Sequence, residues 1–450
     1  MRDLHEFIDF IKRDYPEEIL TIDEEVEADY EITAIAMESE KGKNQMLLFN
    51  NVKGSPFPIV TNVLGTRRRI ALAIGTSVDE FYSIWDKRTQ KLVDPKIVES
   101  GPVKDVVMKG EKVDLYRFPI FKHFEQDAGK YVTAGVVVAK DPETGIRNLS
   151  YHRLQLVEKN KFRISLHSRG HLWRIYSKSE KLNRPLEAAI FIGAHPSISI
   201  AAAAQVGMDI DEYRVAGALM QEPLELVKCE TVDLEVPAFS EIVVEGEIPP
   251  FVREKEGPFG EYTGYATGRS TNNVFNVRAI TYRKNAIYQD ILPGNSSEHL
   301  LLGSVSKEAY FFKRMKEAIP NLKNINRPKS GTHFSAYLSL SEPIDEGQAN
   351  QAALLLLGLD NMLKLVVVVD EDIDVYNEQD VLWAIATRMQ PDRDVNVIKN
   401  VICNKLDPSA YGEGTSAKII IDATKKKGWN FDRLTVPENS RKKAMRIIKK

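Results

Sequence analysis

Between about Val103 and Pro293 the chain is a succession of short apolar or alternating runs cut by Gly, Pro and Asn, and this punctuation limits the possible fold more than any other feature. Tyr131-Val-Thr-Ala-Gly-Val-Val-Val-Ala139 reads as a buried strand. Phe162-Arg-Ile-Ser-Leu166 and Phe275-Asn-Val-Arg-Ala-Ile-Thr-Tyr282 alternate, and Ser240-Glu-Ile-Val-Val-Glu245 lies between Pro237 and Gly246. Many strands of this kind, separated by turn residues, predict an antiparallel barrel or sandwich. The flanks read differently. Residues 1–12 form an amphipathic helix with Leu4, Phe7, Ile8 and Ile11 on one side, and the first hundred residues mix helix and strand signals. Gly101-Pro102 marks a boundary, because proline drives the preceding residue out of the helical region. Residues 307–318 predict a helix carrying Tyr310, Phe311 and Met315, and residues 324–329 a polar linker. Beyond these lie an apolar helix over 348–357, a continuous apolar run over 363–369 and a helix over 378–389. That order predicts an α/β layer with a buried parallel sheet. The basic tail from Lys425 reads as a solvated terminal helix.

Composition removes several function classes. Lys and Arg number 61 against 64 Asp and Glu, a net charge of −3, so the chain is not a globally cationic nucleic-acid binder. Cys229 and Cys403 are the two cysteines, far apart and without CxxC spacing. That excludes a disulfide framework or zinc ribbon and suits a reducing cytosol. Residues 188–208 contain no Asp, Glu, Lys or Arg, a length that could span a bilayer, but His195-Pro196-Ser197 stands in the middle. The expectation is a buried strand over 188–192, a turn and a packed small-residue segment, in a cytosolic protein with no membrane span. Phosphate-loop, GxGxxG, HExxH, GxSxG and EF-hand patterns are all missing.

Three segments carry chemistry. Glu256-Gly-Pro-Phe-Gly-Glu261-Tyr-Thr-Gly-Tyr265 sets two carboxylates five residues apart among glycines and aromatics. A carboxyl against apolar walls loses hydration, which favours the protonated form needed for acid catalysis. The alternative is a surface turn with two solvated glutamates. In Asn148-Leu-Ser-Tyr-His-Arg153, Arg153 could lock a glutamate through a bidentate pair and Asn148 offers a hard oxygen, although such residues at a strand start are usually surface residues. His167 and His171 lie four apart, but Gly170 breaks any helix between them. One histidine joined by Asn and a carboxylate would suit Mn²⁺ or Mg²⁺ better than Zn²⁺, and a lone histidine is more often structural.

Together these segments resemble the UbiD family of reversible decarboxylases, over about residues 101–424. The pieces stand in the family's order: Asp127-Ala-Gly-Lys-Tyr-Val-Thr133; Asn148 to Arg153; Arg169-Gly-His171; Ile192-Gly-Ala-His-Pro196; Asp211-Glu-Tyr-Arg-Val-Ala-Gly217; Leu234-Glu-Val-Pro-Ala238 with Glu241-Ile-Val-Val-Glu-Gly246; Glu256 to Tyr265; and Val369-Asp-Glu-Asp372 with Trp383 and the segment from Gly414 to Thr424. The resemblance implies an α+β multidomain chain: an N-terminal α/β domain (1–102), a central split β-barrel of flavin-reductase type holding the cofactor (103–304), a linker helix (305–323) and a C-terminal α/β oligomerisation domain (324–450). It further implies prenylated FMN supplied by a separate flavin prenyltransferase, its phosphate held through Mn²⁺ (or Mg²⁺) and K⁺, and a homo-oligomer, dimer or hexamer.

By the same resemblance Asn148, His171 and Glu212 match metal ligands. Arg153, Glu256 and Glu261 match a Glu-Arg-Glu catalytic network in which Glu261 returns a proton to the carbon that loses CO₂. Thr133, Ser150, Tyr151, His152, Arg153, Ile164, Ser165, Leu166, Arg169, Gly170 and Lys418 match cofactor-contacting positions. The chain departs from the pattern at Ala201 to Gln205, where many relatives carry Ser/Thr and then Pro, and at Arg169-Gly170, where some have Pro-Gln. The segment 292–299 falls where the family varies its substrate pocket. The implied substrate is an unsaturated carboxylic acid, aromatic, heteroaromatic or acrylic, and the chain's shortness favours a small acid over a long isoprenoid. Two rival readings are a split-barrel flavin oxidoreductase using plain FMN and a non-catalytic assembly protein of the same fold.

Overall fold

In a computed structural model of the chain, described over residues 1–166, 170–268, 270–412 and 414–448, four β-sheets and their helices pack as a mixed α+β structure. The first helix, Leu4–Asp14, is capped by Asp3, whose side chain accepts from the Glu6 N–H at 2.9 Å, and it buries Leu4, Phe7, Ile8 and Ile11 as the sequence pattern requires. The N-terminal sheet orders Ile19–Ile22, Met46–Phe49, Ile59–Thr61 and Tyr288–Gln289. Its last strand therefore comes from far along the chain, and ties the N-terminal layer to the central one.

The central sheet has ten strands, and its main path runs from Tyr131–Val132 through Leu154–Glu158, Lys161–Ile164, Ser270–Tyr282, Ile242–Ile248, Leu186–Ile192 and Val136–Lys140 to Arg147–Tyr151. The two ends of this path are not paired with each other, so the sheet is open. It is covered on both faces: Val136, Val138, Ala189 and Phe191 enter one apolar core, and Val137, Ala139, Ala188 and Ile190 another.

The apolar run from Tyr131 to Ala139 is not one strand. Tyr131 and Val132 pair with Gln155 and Leu154, whereas Val136–Lys140 pairs with Arg147–Tyr151 and with Ala189 to Phe191. The chain changes neighbours between them at Gly135, where a Cβ would stand 2.9 Å from Leu154 Cδ1 and 3.0 Å from Ile190 Cγ2. The chain turns again between Tyr151 and Leu154, and the His152 N–H reaches the Gly135 carbonyl at 3.5 Å. Two corners thus lie side by side, one carrying Thr133 and the other His152 and Arg153.

The helix expected over 307–318 begins earlier, as Ser297–Ala318, because the Ser296 hydroxyl caps it by accepting the His299 N–H at 3.4 Å. Leu302, Val305 and Ala309 enter a core shared with the N-terminal residues, and Phe311 and Met315 a core shared with the C-terminal sheet. The segment read as a polar linker contributes instead to a strand, Leu322–Asn326, paired antiparallel with Ser335–Leu340 and burying Leu322 and Ile325. The C-terminal sheet continues through Leu365–Asp370 and Thr415–Ala423, parallel as expected, to an antiparallel edge at Val395–Ile402. The last described helix, Glu438–Ile448, buries no residue. Among the described residues no helix is long and apolar enough to cross a membrane; the uncharged stretch after Leu186 is a buried strand, Leu186–Ile192, and a short buried helix, Pro196–Ala202.

Candidate active site

Arg153 leaves the corner after the Arg147–Tyr151 strand and meets both glutamates of the glycine-cornered loop. Its Nε and Nη2 donate to Glu256 Oε1 and Oε2 at 3.0 and 2.9 Å, a bidentate pair, and its Nη1 donates to Glu261 Oε1. Asn272 adds an amide donor to Glu256 Oε2 at 2.7 Å. The Arg153 guanidinium lies over the Phe259 ring, 4.9 Å from its centroid, and Phe259 packs on Tyr131 at 4.6 Å. Glu256 is fully buried, whereas Arg153 and Glu261 keep a small exposed edge. Burial opposes the charge on Arg153, but the bonds from Glu256 outweigh it and hold the guanidinium above its usual range. Burial and the adjacent Glu256 charge push the Tyr131 phenol up.

The loop is held by its own backbone. Asp127 accepts from the Gly260 N–H at 2.8 Å and from the Phe124 N–H at 2.9 Å, and the Pro258 carbonyl takes the Ala128 N–H at 2.8 Å. Glycine is required at 260, where a Cβ would stand 2.7 Å from Phe124 Cδ2, and Gly264 closes the turn at φ +82°. The loop reading with two solvated glutamates is thereby excluded, and the second segment does supply the guanidinium.

A second group lies on the Arg147–Tyr151 strand, where Asn148 and Ser150 share a face. Glu212, the first residue of the helix Glu212–Met220, accepts from Asn148 Nδ2 at 2.9 Å and from the Leu149 N–H at 2.8 Å. No positive side chain meets this carboxyl in the hydrogen bonds described, and burial pushes it up to about 8. His171 opens the helix His171–Lys181, which packs on the same strand, and burial lowers it. No hydrogen bond joins His171 to the Asn148–Glu212 pair among the described residues.

The donor set fits a hard divalent cation. His152 donates from Nδ1 to the Ser165 carbonyl at 2.9 Å, because a carbonyl can only accept. Its Nε2 lies 3.0 Å from the Ser150 hydroxyl. Asn148 Oδ1 accepts from the Ser150 hydroxyl at 3.1 Å, and its second lone pair is what an amide oxygen would offer a cation. An amide oxygen, a buried carboxyl lacking a cation and a nearby imidazole are what Mn²⁺ or Mg²⁺ would take.

The remaining sequence-predicted positions separate. Thr133 Oγ1 donates to Asp290 Oδ1 at 2.7 Å, and His123 Nε2 meets the same oxygen at 2.9 Å. Ile164 closes its strand opposite Leu154 and Asn273. The Ser165 N–H donates to the Arg153 carbonyl at 3.3 Å, Leu166 is buried, and Gly170 caps the His171 helix. Tyr151 has its phenol raised by burial. Arg169 and His167 lie outside the described residues. Lys418 stands apart from the others, in the Thr415–Ala423 strand of the C-terminal sheet, with its ammonium on the carbonyls of Asn361 and Leu363. Sequence reading missed Asp290, His123 and Asn272. Asp290 sits beside a segment set aside as variable, and Asn272 looks like any polar residue of an alternating strand.

Three models of one family match in series: the 3-octaprenyl-4-hydroxybenzoate carboxy-lyase N-terminal domain over residues 13–89, the Rift-related domain over 96–296 and the C-terminal domain over 300–423. The chain is 34% identical to an anhydromevalonate phosphate decarboxylase of Methanothermobacter thermautotrophicus over 91% of this chain and 94% of that one. It is 33% identical to a phenolic acid decarboxylase of Sedimentibacter hydroxybenzoicus over 94% and 91%. Among solved structures, the UbiD-class enzyme HmfF from Pelotomaculum thermopropionicum in complex with FMN superposes with a TM-score of 0.93 at 38% identity over 98% of each chain. The Klebsiella pneumoniae 3,4-dihydroxybenzoic acid decarboxylase superposes with 0.92 at 29% identity over 99% of each.

Proposed function

Because the chain belongs to the UbiD family of carboxy-lyases, we propose that it is a prenylated-FMN-dependent, reversible decarboxylase of an unsaturated carboxylic acid, with Glu261 as its proton donor. The observation that carries this reading is the Arg153 guanidinium shared between Glu256 and Glu261. One cation faces two carboxyl groups, and its contacts with the two differ. Glu256, bidentate on Arg153 and also bonded to Asn272, is held in place by three donors. Glu261 makes one bond to Arg153 and keeps an exposed edge, which leaves it the group able to move a proton to a carbon.

Loss of CO₂ leaves an electron pair on carbon, and prenylated FMN, when bound, supplies the electron sink that no side chain offers. Asn148, Glu212 and His171 would hold a divalent cation there to neutralise the cofactor phosphate. The chain's own work is positional and electrostatic. Arg153 orients both carboxyl groups, Phe259 and Tyr131 wall the pocket, and Thr133, held by Asp290, and Ser165 fix the two corners. The open ten-stranded sheet is what we read as the split barrel, and the long helix from Ser297 as the link to a C-terminal oligomerisation domain in a cytosolic homo-oligomer. One structural neighbour is described as an evolved dimeric form in complex with prFMN. The named relatives act on acids as different as anhydromevalonate phosphate and phenolic acids, so the reaction class is what carries over.

The test is coexpression with a flavin prenyltransferase, followed by absorbance spectroscopy and mass spectrometry of the extracted cofactor. Glu261→Gln is expected to retain the modified flavin while kcat falls by about 10²- to 10⁴-fold and deuterium exchange at the product carbon disappears. Normal exchange in that variant removes Glu261 as donor. Unmodified FMN, with oxidoreductase activity, would favour the flavin-oxidoreductase reading.

A further inference from the structure

The helix Ser297–Ala318 carries His299, Gly303 and Lys307 at four-residue intervals, so the three lie along one face, each a turn beyond the last. His333 lies across that face. A Cβ on Gly303 would stand 3.1 Å from its Nε2, and Ser304 Oγ meets its Nδ1 at 3.1 Å. The same ring packs on Tyr262, with centroids 5.2 Å apart, and Tyr262 directly follows Glu261. His299 closes the near end: its Nδ1 bonds the Gly294 carbonyl at 3.0 Å, and a Cβ on Gly294 would lie 3.9 Å from the Glu261 carbonyl oxygen. A row of nitrogen-bearing side chains therefore leads outward from Glu261 to Lys307.

The charges along this row do not cancel. Glu261 is engaged by Arg153, and Asp407 by Lys364 at 2.9 Å. Arg327, buried behind His333, donates to the His333 carbonyl at 2.9 Å and has Asp360 at 3.1 Å, but among the described residues its buried Nε and Nη1 have no partner, and neither has the Tyr262 hydroxyl. The polar contact recorded for the half-buried Lys307 ammonium is a thioether, Met362 Sδ at 3.6 Å, a weak acceptor. Burial and the nearby Arg327 charge push Lys307 down to about 8, with Asp360 as its opposing anion. One carboxylate, Asp360, thus serves two cations.

We infer that the acid decarboxylated here carries a second anionic group, a carboxylate or a phosphate, received by Lys307 with Arg327 and Tyr262 while the carboxyl to be lost lies toward Arg153 and Glu261. This rests on the decarboxylase reading and adds the substrate class to it. The second anion supplies the acceptors that Lys307 and Tyr262 lack, and a charge-assisted bond of this kind is where binding energy is gained.

Calorimetric titration of the cofactor-loaded protein with benzoate, terephthalate and 4-carboxyphenyl phosphate tests it. At least one dianion is expected to bind about tenfold or more tighter than benzoate, and which of the two does so separates carboxylate from phosphate. Lys307→Gln is expected to erase most of that gap, and Lys307→Arg to restore it. Equal binding of all three acids, or a gap that survives in Lys307→Gln, overturns the inference. Glu261→Gln should keep the gap. A dianion preference that depends on Lys307, together with no CO₂ release from any acid, would leave the subsite standing and remove the decarboxylase reading.

Discussion

Two buried acidic groups, Glu256 and Glu212, find their partners a few residues apart on the same stretch of chain, and they are satisfied in opposite ways. Glu256 receives two guanidinium N–H groups and an amide, so its charge is met inside the protein. Glu212 receives an amide and a backbone N–H, both neutral, and burial raises it to about 8. The first cluster holds its cation within the protein, Arg153 bridging Glu256 and Glu261. The second meets no cation among the described residues, and under the proposed function a divalent ion would supply it. Under the proposed function, catalytic geometry and cofactor retention should therefore be separable, although Asn148 and Arg153 are five residues apart.

Removing the cation from the first cluster should have the larger effect. Arg153→Ala leaves Glu256 buried and unpaired beside Glu261, and breaking a buried pair from one side costs about 3–5 kcal/mol. The expected result is a lower urea midpoint together with loss of turnover. Arg153→Lys should recover only part of the stability, because an ammonium cannot make the bidentate contact. A variant lacking Arg153 that unfolds at the wild-type midpoint would break the contrast between the two clusters.

Glu212→Ala should act on the other side of the contrast. It removes a ligand without leaving a charge behind, so fold stability should change little while metal retention falls by at least about tenfold, with flavin lost in parallel. Elemental analysis and flavin absorbance of the purified variant measure both. A chelator applied to the wild type should reproduce the flavin loss. Unchanged metal content would remove Glu212 from the ligand set.

How much of this could be read in the sequence follows from the same contrast. The glycines and aromatics around Glu256 and Glu261 announce a tight loop, because a turn that needs a positive φ, as Gly264 does at +82°, is local to it, whereas the need for glycine at 260 comes from the distant Phe124. Arg153 as the partner was legible as a bidentate donor, but the pairing itself crosses 103 residues to Glu256 and rested on resemblance. What the sequence conceals are changes of neighbour. Nothing in the apolar run from Tyr131 to Ala139 marks the switch at Gly135, which depends on Leu154 and Ile190 arriving from elsewhere. The helix from Ser297 was read ten residues late, because its first turns carry Ser, Glu, His and Gly and bury polar side chains such as Glu298. The strand Leu322–Asn326 passed for a linker because its polar residues, one of them the buried Asn326, mask the two buried apolar ones, Leu322 and Ile325.

A third buried polar group, outside both clusters, gives the smallest and most separable effect. His195 caps the helix Pro196–Ala202, its Nδ1 accepting the Ser197 N–H at 3.2 Å, and so must be neutral at that nitrogen. Burial, assisted by the N-terminal ammonium, pushes it down to about 4 from the usual 6.5. The unfolded chain takes up this proton as pH falls through 6.5, while the folded chain does not until about 4. Stability contributed by the neutral ring is therefore complete above pH 6.5 and is lost progressively toward pH 4, by up to roughly 3 kcal/mol. His195→Asn keeps a capping acceptor and cannot titrate. The difference between wild-type and variant unfolding free energies should shift in favour of the variant as pH is lowered across that window, while carboxylate protonation, common to both proteins, cancels. A difference that stays flat from pH 7 to 4.5 would mean that His195 carries its proton in the folded protein, and that neutrality is not how this third group tolerates burial.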